Sequence, residues 1–476
     1  MTRLAVAGDR TAGAGRTWPD AGAADDGALV SLRQFAAWWD ERHRAGRFRV
    51  DRIPFDALDS WSFEPRTGNL GHASGRFFTI EGLRVRDSGV DGWSQPVINQ
   101  PEIGILGIVV KEFNGVLHCL MQAKMEPGNV NTLQLSPTVQ ATRSNYTQVH
   151  HGTGTRYLEH FVGAQRGQVL VDVLQSEQGA WFWRKRNRNM VVLVTGDVPV
   201  HEDYCWLTPA QIRELMGVDN LVNMDARTVL SCMPFAQPRE DEAVTGDEFR
   251  DALVRSYQYQ PQAAPVGPLH NPGAILSWFT EAKTRCDWTA RLVPLGEVAR
   301  WSRTADEIRH DEGRHFGIIA VRVEAGTREV RQWTQPLLSP RGQGRAVFLV
   351  RPIQGVLHLL VQARPEYGLM DMVEMAPTVQ LLSDSPVGEI ADPFPRDLMA
   401  AGTARVRYDN LLSEEGGRFH HALTRYQIIE VSEDVPLDVP PQYCWMTVRQ
   451  LTDLLRHGHY LNIEARSLLA CLPSMC

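Results

Sequence analysis

Leu32, Phe35, Trp38 and Trp39 stand three and four apart, the spacing of an amphipathic helix. Short apolar runs bounded by Gly, Pro or Asn follow at Phe77–Ile80, Ile105–Val110, Val116–Met121, Val169–Leu174 and Met190–Thr195, and their β-branched and aromatic content predicts strands. The period changes at Tyr204-Cys205-Trp206-Leu207-Thr208-Pro209, where Thr208 suits a helix N-cap and Pro209 the first turn; a further helix is expected over Met224–Leu230. The order is helix, mixed sheet, helix. It is then written again, with Trp38, Pro54, Trp61, Trp93, Gln95 and Pro96 recurring as Trp278, Pro294, Trp301, Trp333, Gln335 and Pro336.

The copies agree best where GVLHCLMQAKMEPG (Gly115–Gly128) faces GVLHLLVQARPEYG (Gly355–Gly368), each followed by a Pro-Thr-Val-Gln that starts at Pro137 or Pro377. Ser176-Glu177-Gln178-Gly179 faces Ser413-Glu414-Glu415-Gly416, Tyr204-Cys205-Trp206 faces Tyr443-Cys444-Trp445, and Asn223 with Ala226-Arg227 faces Asn462 with Ala465-Arg466. A repeat of this length exceeds a solenoid unit, so each copy is expected to bury its own core. The expected architecture is α+β, two tandem domains related by internal duplication, with mixed sheets flanked by helices. Residues 1–29 form a flexible N-terminal segment, 30–235 the first domain, 236–273 a linker and 274–476 the second domain. The linker is acidic and then proline-rich, a composition that favours extended chain. Phe249, Leu253 and Tyr257 place one helical stripe inside it.

A net charge of -7 gives no general reason to bind nucleic acid or an acidic membrane. No apolar run reaches the ~18 residues of a membrane span, and Met1–Asp26 lacks the apolar core of a signal peptide. A cytoplasmic protein without nucleic-acid or membrane partners is expected. Seven cysteines with no Cys-x-x-Cys oppose a disulfide framework and a zinc ribbon. Cys205 and Cys232, repeated as Cys444 and Cys471, read as small buried apolar groups.

On the repeated strand Val116, His118, Leu120, Gln122, Lys124 and Glu126 share one face, and the wholly apolar Leu117, Cys119, Met121, Ala123 and Met125 share the other, which is the natural core face. The second copy keeps His358, Gln362 and Glu366 and replaces Lys124 by Arg364. Two readings of the polar face stand, a pocket lining and a hydrogen-bond scaffold. Two further clusters are Arg143-Ser144-Asn145-Tyr146 with His150 and His151, and Trp181-Phe182-Trp183-Arg184-Lys185-Arg186-Asn187-Arg188. Guanidinium groups bridge phosphate oxygens and aromatic faces stack on bases, so this interleaving suits a nucleoside diphosphate; a solvated charge run is the alternative.

The Gly-rich dinucleotide and P-loop signatures, His-Glu-x-x-His and the Gly-x-Ser-x-Gly elbow are all missing. The adjacent pairs His150-His151 and His420-His421 would point to opposite faces of a strand. Any catalysis is therefore expected to be acid–base chemistry with no cofactor and no metal.

Four segments carry a resemblance: QPEIGILGIVVKEFNGVLHCLMQAKMEPGN (Gln100–Asn129), LQLSPTVQATRSNY (Leu133–Tyr146), LVDVLQSEQGAWFWRKRNRNM (Leu170–Met190) and LSEEGGRFHHALTRY (Leu412–Tyr426). They closely resemble the NDP-hexose 2,3-dehydratases of deoxysugar and antibiotic biosynthesis, and the likeness runs from about Val30 to Pro473, through both copies. It implies a hydro-lyase acting on dTDP-4-keto-6-deoxyglucose, loss of water across C2 and C3, and a dTDP-3,4-diketo-2,6-dideoxyhexose product for a downstream 3-ketoreductase. It also implies tandem Nudix-like folds, a homodimer, and a nucleotide-sugar pocket in each half. The Nudix metal signature is absent, so pyrophosphate hydrolysis is not expected.

The C4 ketone of such a substrate acidifies the C3 hydrogen. One base, a donor for the enolate oxygen and an acid for the departing C2 hydroxyl would suffice. The first copy is expected to be catalytic, because Lys124, Asn129, Asn131 and the Arg143–His151 cluster lack close matches in the second. The base is placed on His118 or Glu126, with Lys124 or Tyr146 steadying the enolate oxygen and Arg184, Lys185, Arg186 and Arg188 near the phosphates. Trp93, Gln122, Asn129, Arg143, Ser144, Asn145, His150, His151 and Trp183 join the substrate-binding candidates, as do His358, Gln362, Arg364, Glu366, Arg418 and His420 of the second copy. Phe419-His420-His421 is a rival source of the base. A non-catalytic nucleotide-sugar-binding regulatory module would return the sugar unchanged, and a nucleotide-sugar epimerase would exchange the C3 hydrogen without losing water.

Overall fold

The computed structural model describes residues 18, 19, 22–87, 90–142, 154–163, 166–233, 246–258, 267–326, 331–382, 390, 392–400 and 402–475. The first half comprises α1 (Leu32–Ala45), β1 (Phe48–Ile53), β2 (Trp61–Phe63), β3 (Leu70–His72), β4 (Thr79–Asp87), β5 (Val90–Asn99), β6 (Gly104–Phe113), β7 (Val116–Met125), β8 (Leu133–Ser136), β9 (Val139–Ala141), β10 (Gln168–Ser176), β11 (Arg186–Leu193), β12 (Tyr204–Leu207), α2 (Pro209–Leu215) and α3 (Met224–Ser231). After α4 (Glu248–Tyr257) and α5 (Pro272–Thr284) the second half repeats the strands as β13 (Thr289–Val293), β14 (Trp301–Arg303), β15 (Glu307–His310), β16 (Phe316–Ala325), β17 (Gln332–Pro340), β18 (Gly344–Ile353), β19 (Val356–Pro365), β20 (Val373–Ala376) and β21 (Val379–Leu381). It ends with α6 (Pro393–Ala400), β22 (Arg405–Ser413), β23 (Leu423–Glu430), β24 (Tyr443–Thr447), α7 (Val448–Leu454) and α8 (Ile463–Cys471).

Local chemistry sets the boundaries. Ser31 caps α1 and Thr208 caps α2, each in a reciprocal box with the glutamine three residues on, and Pro209 occupies the first turn of α2. Asn223 and Asn462 cap α3 and α8, accepting from the N–H groups of Ala226 and Ala465, which accounts for their retention in both copies. The tight β6–β7 and β18–β19 turns run through Asn114-Gly115 and Gln354-Gly355, all at positive φ, a conformation in which glycine costs nothing. The run expected to be a strand from Phe77 starts only at Thr79, because Phe77 adopts a φ of 75° that no strand continues through. Helix α4 lies inside the segment read as linker, with Phe249, Leu253 and Tyr257 buried.

Each half contributes a seven-stranded mixed sheet, β10-β11-β6-β7-β12 with β8 and β9 alongside, and β22-β23-β18-β19-β20 with β21 and β24 alongside. One apolar core runs across the halves and joins the inner faces of both sheets to the helices; it includes Cys119, Met121 and Ala123 of β7 and Leu359, Val361 and Ala363 of β19. On the other side of each large sheet the halves keep cores of their own, with Leu120, Met190 and Trp206 in the first and Leu360, Ile429 and Trp445 in the second.

The two five-stranded sheets are exchanged. β1 of the first half pairs antiparallel with β16 of the second, from Phe48 opposite Ala325 to Ile53 opposite Ala320. Reciprocally, β13 pairs with β4, from Thr289 opposite Arg86 to Val293 opposite Gly82. Trp181, Phe182, Phe419 and Ala422 fill the apolar layer shared by these small sheets. Among the described residues no helix is long and apolar enough to cross a membrane, and the described cysteines are free.

Candidate active site

The segment after β7 meets the segment between β22 and β23. Gly128 N–H donates to Gly416 O at 2.7 Å and His421 N–H to Gly128 O at 2.7 Å. A Cβ on Gly128 would lie 1.7 Å from Phe419 O, so only glycine permits this approach. The second contact is its pseudo-symmetric image: Gly368 N–H donates to Gly179 O at 2.8 Å, Arg184 N–H donates to Gly368 O at 2.7 Å, and a Cβ on Gly368 would lie 2.0 Å from Phe182 O. Two sites result, each built from one copy's repeated strand and the other copy's Ser-Glu-x-Gly turn.

In each site a retained chain of polar groups orients the strand carboxylate. Asn223 donates to Gln140, which donates to Glu126 at 2.8 Å; Asn462 donates to Gln380, which donates to Glu366 at 2.8 Å. Lys124 Nζ lies 3.4 Å from Glu126, and Arg364 Nε lies 3.5 Å from Glu366. These shared features explain why Gln140 of Pro-Thr-Val-Gln is repeated as Gln380.

The sites differ at the turn. In the second, Gln178 Nε2 donates to Glu414 at 2.9 Å, while Gln178 Oε1 is buried without a hydrogen-bond partner. In the first, Glu415 stands where the second has Gln178, and it confronts buried Glu177 with a second carboxyl group. Burial, and next the charge of Glu415, push the Glu177 carboxyl up to about 7 against the opposing pull of Arg466, Lys185 and Asn187. One Glu177 oxygen accepts from Asn187 Nδ2 at 2.7 Å, while the other is buried without a hydrogen-bond partner. Glu415 is also raised, by burial foremost, and Asp225 is raised well above the carboxylate range by burial and then by Glu415, Glu177 and Glu126. Lys185, buried and donating to Glu102 O, is pulled down to about 8 by burial against the attraction of Glu177 and Glu415. Arg418 completes the group, fixed by Gln100 at 3.1 Å, by Gly417 O at 2.8 Å and by the Phe78 ring at 4.4 Å. The positions matching Lys185 and Arg418 in the other site are Ala422 and Trp181, both apolar and buried. The first site thus adds Glu415, Lys185 and Arg418 to carboxyls and a strand cation that both sites have; the second holds Glu366, Glu414, Glu464 and Arg364 in the matching places.

His118 does not join this cluster. Its Nδ1 donates to Val116 O at 2.9 Å and its Nε2 accepts from Leu29 N–H at 3.2 Å, so both ring nitrogens are committed to backbone. His358 repeats the arrangement with Val356 O at 2.8 Å and Leu269 N–H at 3.0 Å. Six residues of strand, about 20 Å, separate His118 from Lys124. The expectation of a base at His118 is therefore corrected: the histidines moor the chain that leads into each copy. Gln122 lies on β7 opposite Tyr204 of β12, and Gln362 reaches Tyr443 Oη at 3.4 Å.

The run from Arg184 to Arg188 is dispersed by the fold instead of forming one phosphate cluster. Arg184 lies against the second site with its guanidinium 4.5 Å from the Trp183 ring, Lys185 enters the first, and Arg188 makes a two-point pair with Asp172. Arg186 is half-buried on β11 opposite Ser176. Trp93, partly exposed, meets Trp288 and Tyr367 edge to face beside the second site. Asn129 closes against Gly416. His420 stacks on His421 at 4.0 Å, and burial, then His421, hold it down to about 4. Arg143, Ser144, Asn145, Tyr146, His150 and His151 lie outside the described residues. Among the described residues no group of three or more His, Cys, Asp or Glu side chains is placed to hold a metal ion.

The family model for NDP-hexose 2,3-dehydratase matches residues 32–233 and again 273–472, one match for each copy. The chain belongs to the NDP-hexose 2,3-dehydratase family. It is 51% identical over 455 residues to the dTDP-4-dehydro-6-deoxy-alpha-D-glucopyranose 2,3-dehydratase of Saccharopolyspora spinosa, covering 94% of this chain and 92% of that one. Enzymes of the same name from Streptomyces violaceoruber and Amycolatopsis orientalis are each 49% identical, over 94% of this chain and 98% and 92% of theirs. For this family member, sequence reasoning missed Glu177, Glu415 and Asp225. A signal was present: in the aligned segments that follow Ser176 and Ser413 the second copy has Glu415 and Arg418 where the first has Gln178 and Trp181, and the first has Lys185 where the second has Ala422.

Proposed function

We propose that the protein is a dTDP-4-keto-6-deoxy-D-glucose 2,3-dehydratase, and that its chemistry occurs in the first site. The curated relatives support the reaction. The observation that carries the assignment of the site is the confrontation of Glu177 with Glu415 beside Lys124, Lys185 and Arg418, where the other site has a neutral Gln178 facing Glu414. Burial, and then the charge of Glu415, raise the Glu177 carboxyl, and burial raises Glu415 as well, so the pair can supply one acid and one base. The ionised member takes the C3 proton, and the electron pair of that C–H bond passes to the C4 carbonyl as an enolate whose oxygen is held by the neighbouring cations. Collapse of the enolate expels the C2 hydroxyl, which leaves as water with the proton of the other member. The resulting C2=C3 enol takes a proton at C2 and becomes the 3-ketone. Glu126, bound by Gln140 and Lys124, holds the strand side of the pocket.

The same reading takes the halves as Nudix-like modules, the assembly as a cytoplasmic homodimer and the 3,4-diketo product as substrate for a 3-ketoreductase of deoxysugar biosynthesis; family resemblance supports these points. The test is incubation with dTDP-4-keto-6-deoxyglucose and a 3-ketoreductase, followed by the mass of the product. Loss of one water, which becomes a net loss of one oxygen once the reductase has added two hydrogens, is expected from the parent, and loss of turnover with near-normal dTDP binding from Glu415→Gln. Unchanged sugar identifies a regulatory binder, C3 exchange without water loss identifies an epimerase, and full turnover by Glu415→Gln removes the chemistry from this site.

A further inference from the structure

Among the described residues two arginines are wholly buried, Arg227 on α3 and Arg466 on α8. Every hydrogen bond they make goes to a neutral oxygen. Arg227 donates to Val222 O at 2.8 Å, Ser413 O at 2.9 Å and Ser467 Oγ at 3.3 Å. Arg466 donates to Leu461 O at 2.6 Å, to Thr228 Oγ1 at 2.9 Å, to Ser176 Oγ at 3.4 Å and to Ser176 O. Removing a guanidinium from water without a carboxylate partner is costly, and only a well-filled set of acceptors offsets it. A hydrophobic residue would fill the space more cheaply, but it would leave these carbonyls without donors.

The acceptors say what the cost secures. Each guanidinium spans its own copy's helix entry, Val222 or Leu461, and the last strand residue of the other copy, Ser413 or Ser176. The next residues along the chain are Glu414-Glu415 and Glu177. The Nε contacts cross between the helices as well, Arg227 to Ser467 and Arg466 to Thr228, so the two clamps are interlocked. We infer that Arg227 and Arg466 are positioning residues, each anchoring the other copy's turn so that Glu415 and Glu177 meet in one site. This rests on the acid–base role given above to that pair. The planar fork of arginine bridges two carbonyls at fixed separation, whereas the single ammonium of lysine cannot.

The two clamps differ in their electrostatic reach. Glu177 faces Glu415, Lys185, Asp225 and the amide of Asn187, and Arg466 is a cation that favours its ionised form. Arg466→Gln is therefore expected to lower kcat at least about tenfold, leave KM and the dTDP Kd within about twofold, and move the basic limb of the kcat–pH profile up by about half a unit or more. Arg466→Lys keeps the charge and is expected to lose rate while holding the limb near its parent position. Glu177→Gln is measured beside them. A parent limb that survives Glu177→Gln overturns the acid–base pair and the clamp's role with it. A limb that Glu177→Gln removes but Arg466→Gln leaves unmoved overturns the clamp alone. Should Arg466→Gln fail to fold, Thr228→Val takes its place by removing the Nε acceptor; parent kcat in both Thr228→Val and Arg466→Lys overturns the proposal.

Discussion

Replacing Glu177 by Gln is predicted to yield a protein that is more stable than the parent in alkaline solution and turns over at about a hundredth of its rate or less. The Glu177 carboxyl is buried and stands at about 7 in place of its ordinary 4.5. Below pH 4.5 the folded and unfolded chains both carry the proton, and Glu177 costs nothing. Between 4.5 and 7 the unfolded chain releases it while the folded one retains it, so stability falls with rising pH and levels off above 7. At about 1.4 kcal/mol per pH unit, the loss reaches about 3 kcal/mol. Gln keeps the shape and can still accept from Asn187 Nδ2, but carries no charge to bury. With an unfolding entropy of about 2 cal/mol/K per residue, the recovered energy is worth about 3 °C in Tm for a chain of this size. Calorimetry of both proteins at pH 5 and pH 8, with dTDP affinity as a check on the site, is the assay. The variant's advantage should grow from about 1 °C at pH 5 to about 3 °C at pH 8, while kcat falls about 100-fold or more. A difference in Tm that is the same at both pH values, or a variant less stable at pH 8, would refute the account of Glu177.

His118→Ala and His358→Ala are each expected to cost about 0.5–1.5 kcal/mol for the hydrogen bond lost to the Leu29 or Leu269 N–H; exchange of the substrate's C3 hydrogen with deuterated solvent should continue in the folded His118 variant, and its disappearance would return His118 to the chemistry. Since burial holds His358 down to about 4, its contribution to stability is present above its unfolded value of 6.5 and is lost as the solution is acidified below it, a slope that His358→Gln should flatten in urea titrations between pH 7 and pH 5. Turnover should need no added NAD(P) and should survive EDTA; activity lost on chelation and restored by a single divalent ion would show that the inference from missing motifs was wrong.

What the sequence revealed was local or repeated. The caps at Thr208 and Asn223, the Asn114-Gly115 turn and the duplication itself follow from residues close in the chain or from comparison of the copies. The strand exchange was not legible, because β1 and β16 are joined by pairing between residues more than 250 positions apart, and neither strand carries a mark of its partner. That blind spot also concealed the site. Arg418 was credited to the second copy, although the turn that carries it reaches the first copy's pocket. The polar face of β7 was ambiguous for another reason: His118 is satisfied by the main chain of Leu29 and Val116, which no side-chain pattern encodes. The run of cations at Arg184–Arg188 is dispersed because Arg184, at a φ of 50°, and Lys185 precede β11, and only Arg186 and Arg188 lie on the strand.

The exchanged strands and shared turns also bear on how such a protein can evolve. A chain with a single repeat could complete neither its small sheet nor its site, so the unit before duplication must have worked as a pair of identical chains. In such a pair every position is the same on both sides of the axis. A glutamate at the place of Glu415 would have put facing carboxyls in both sites, and a glutamine at the place of Gln178 would have put them in neither. Joining the two copies in one polypeptide made the positions independently mutable. One site could then gain an acid and two cations while its twin kept the uncharged Gln178, Trp181 and Ala422, a division of labour closed to any symmetric assembly of the half-length chain.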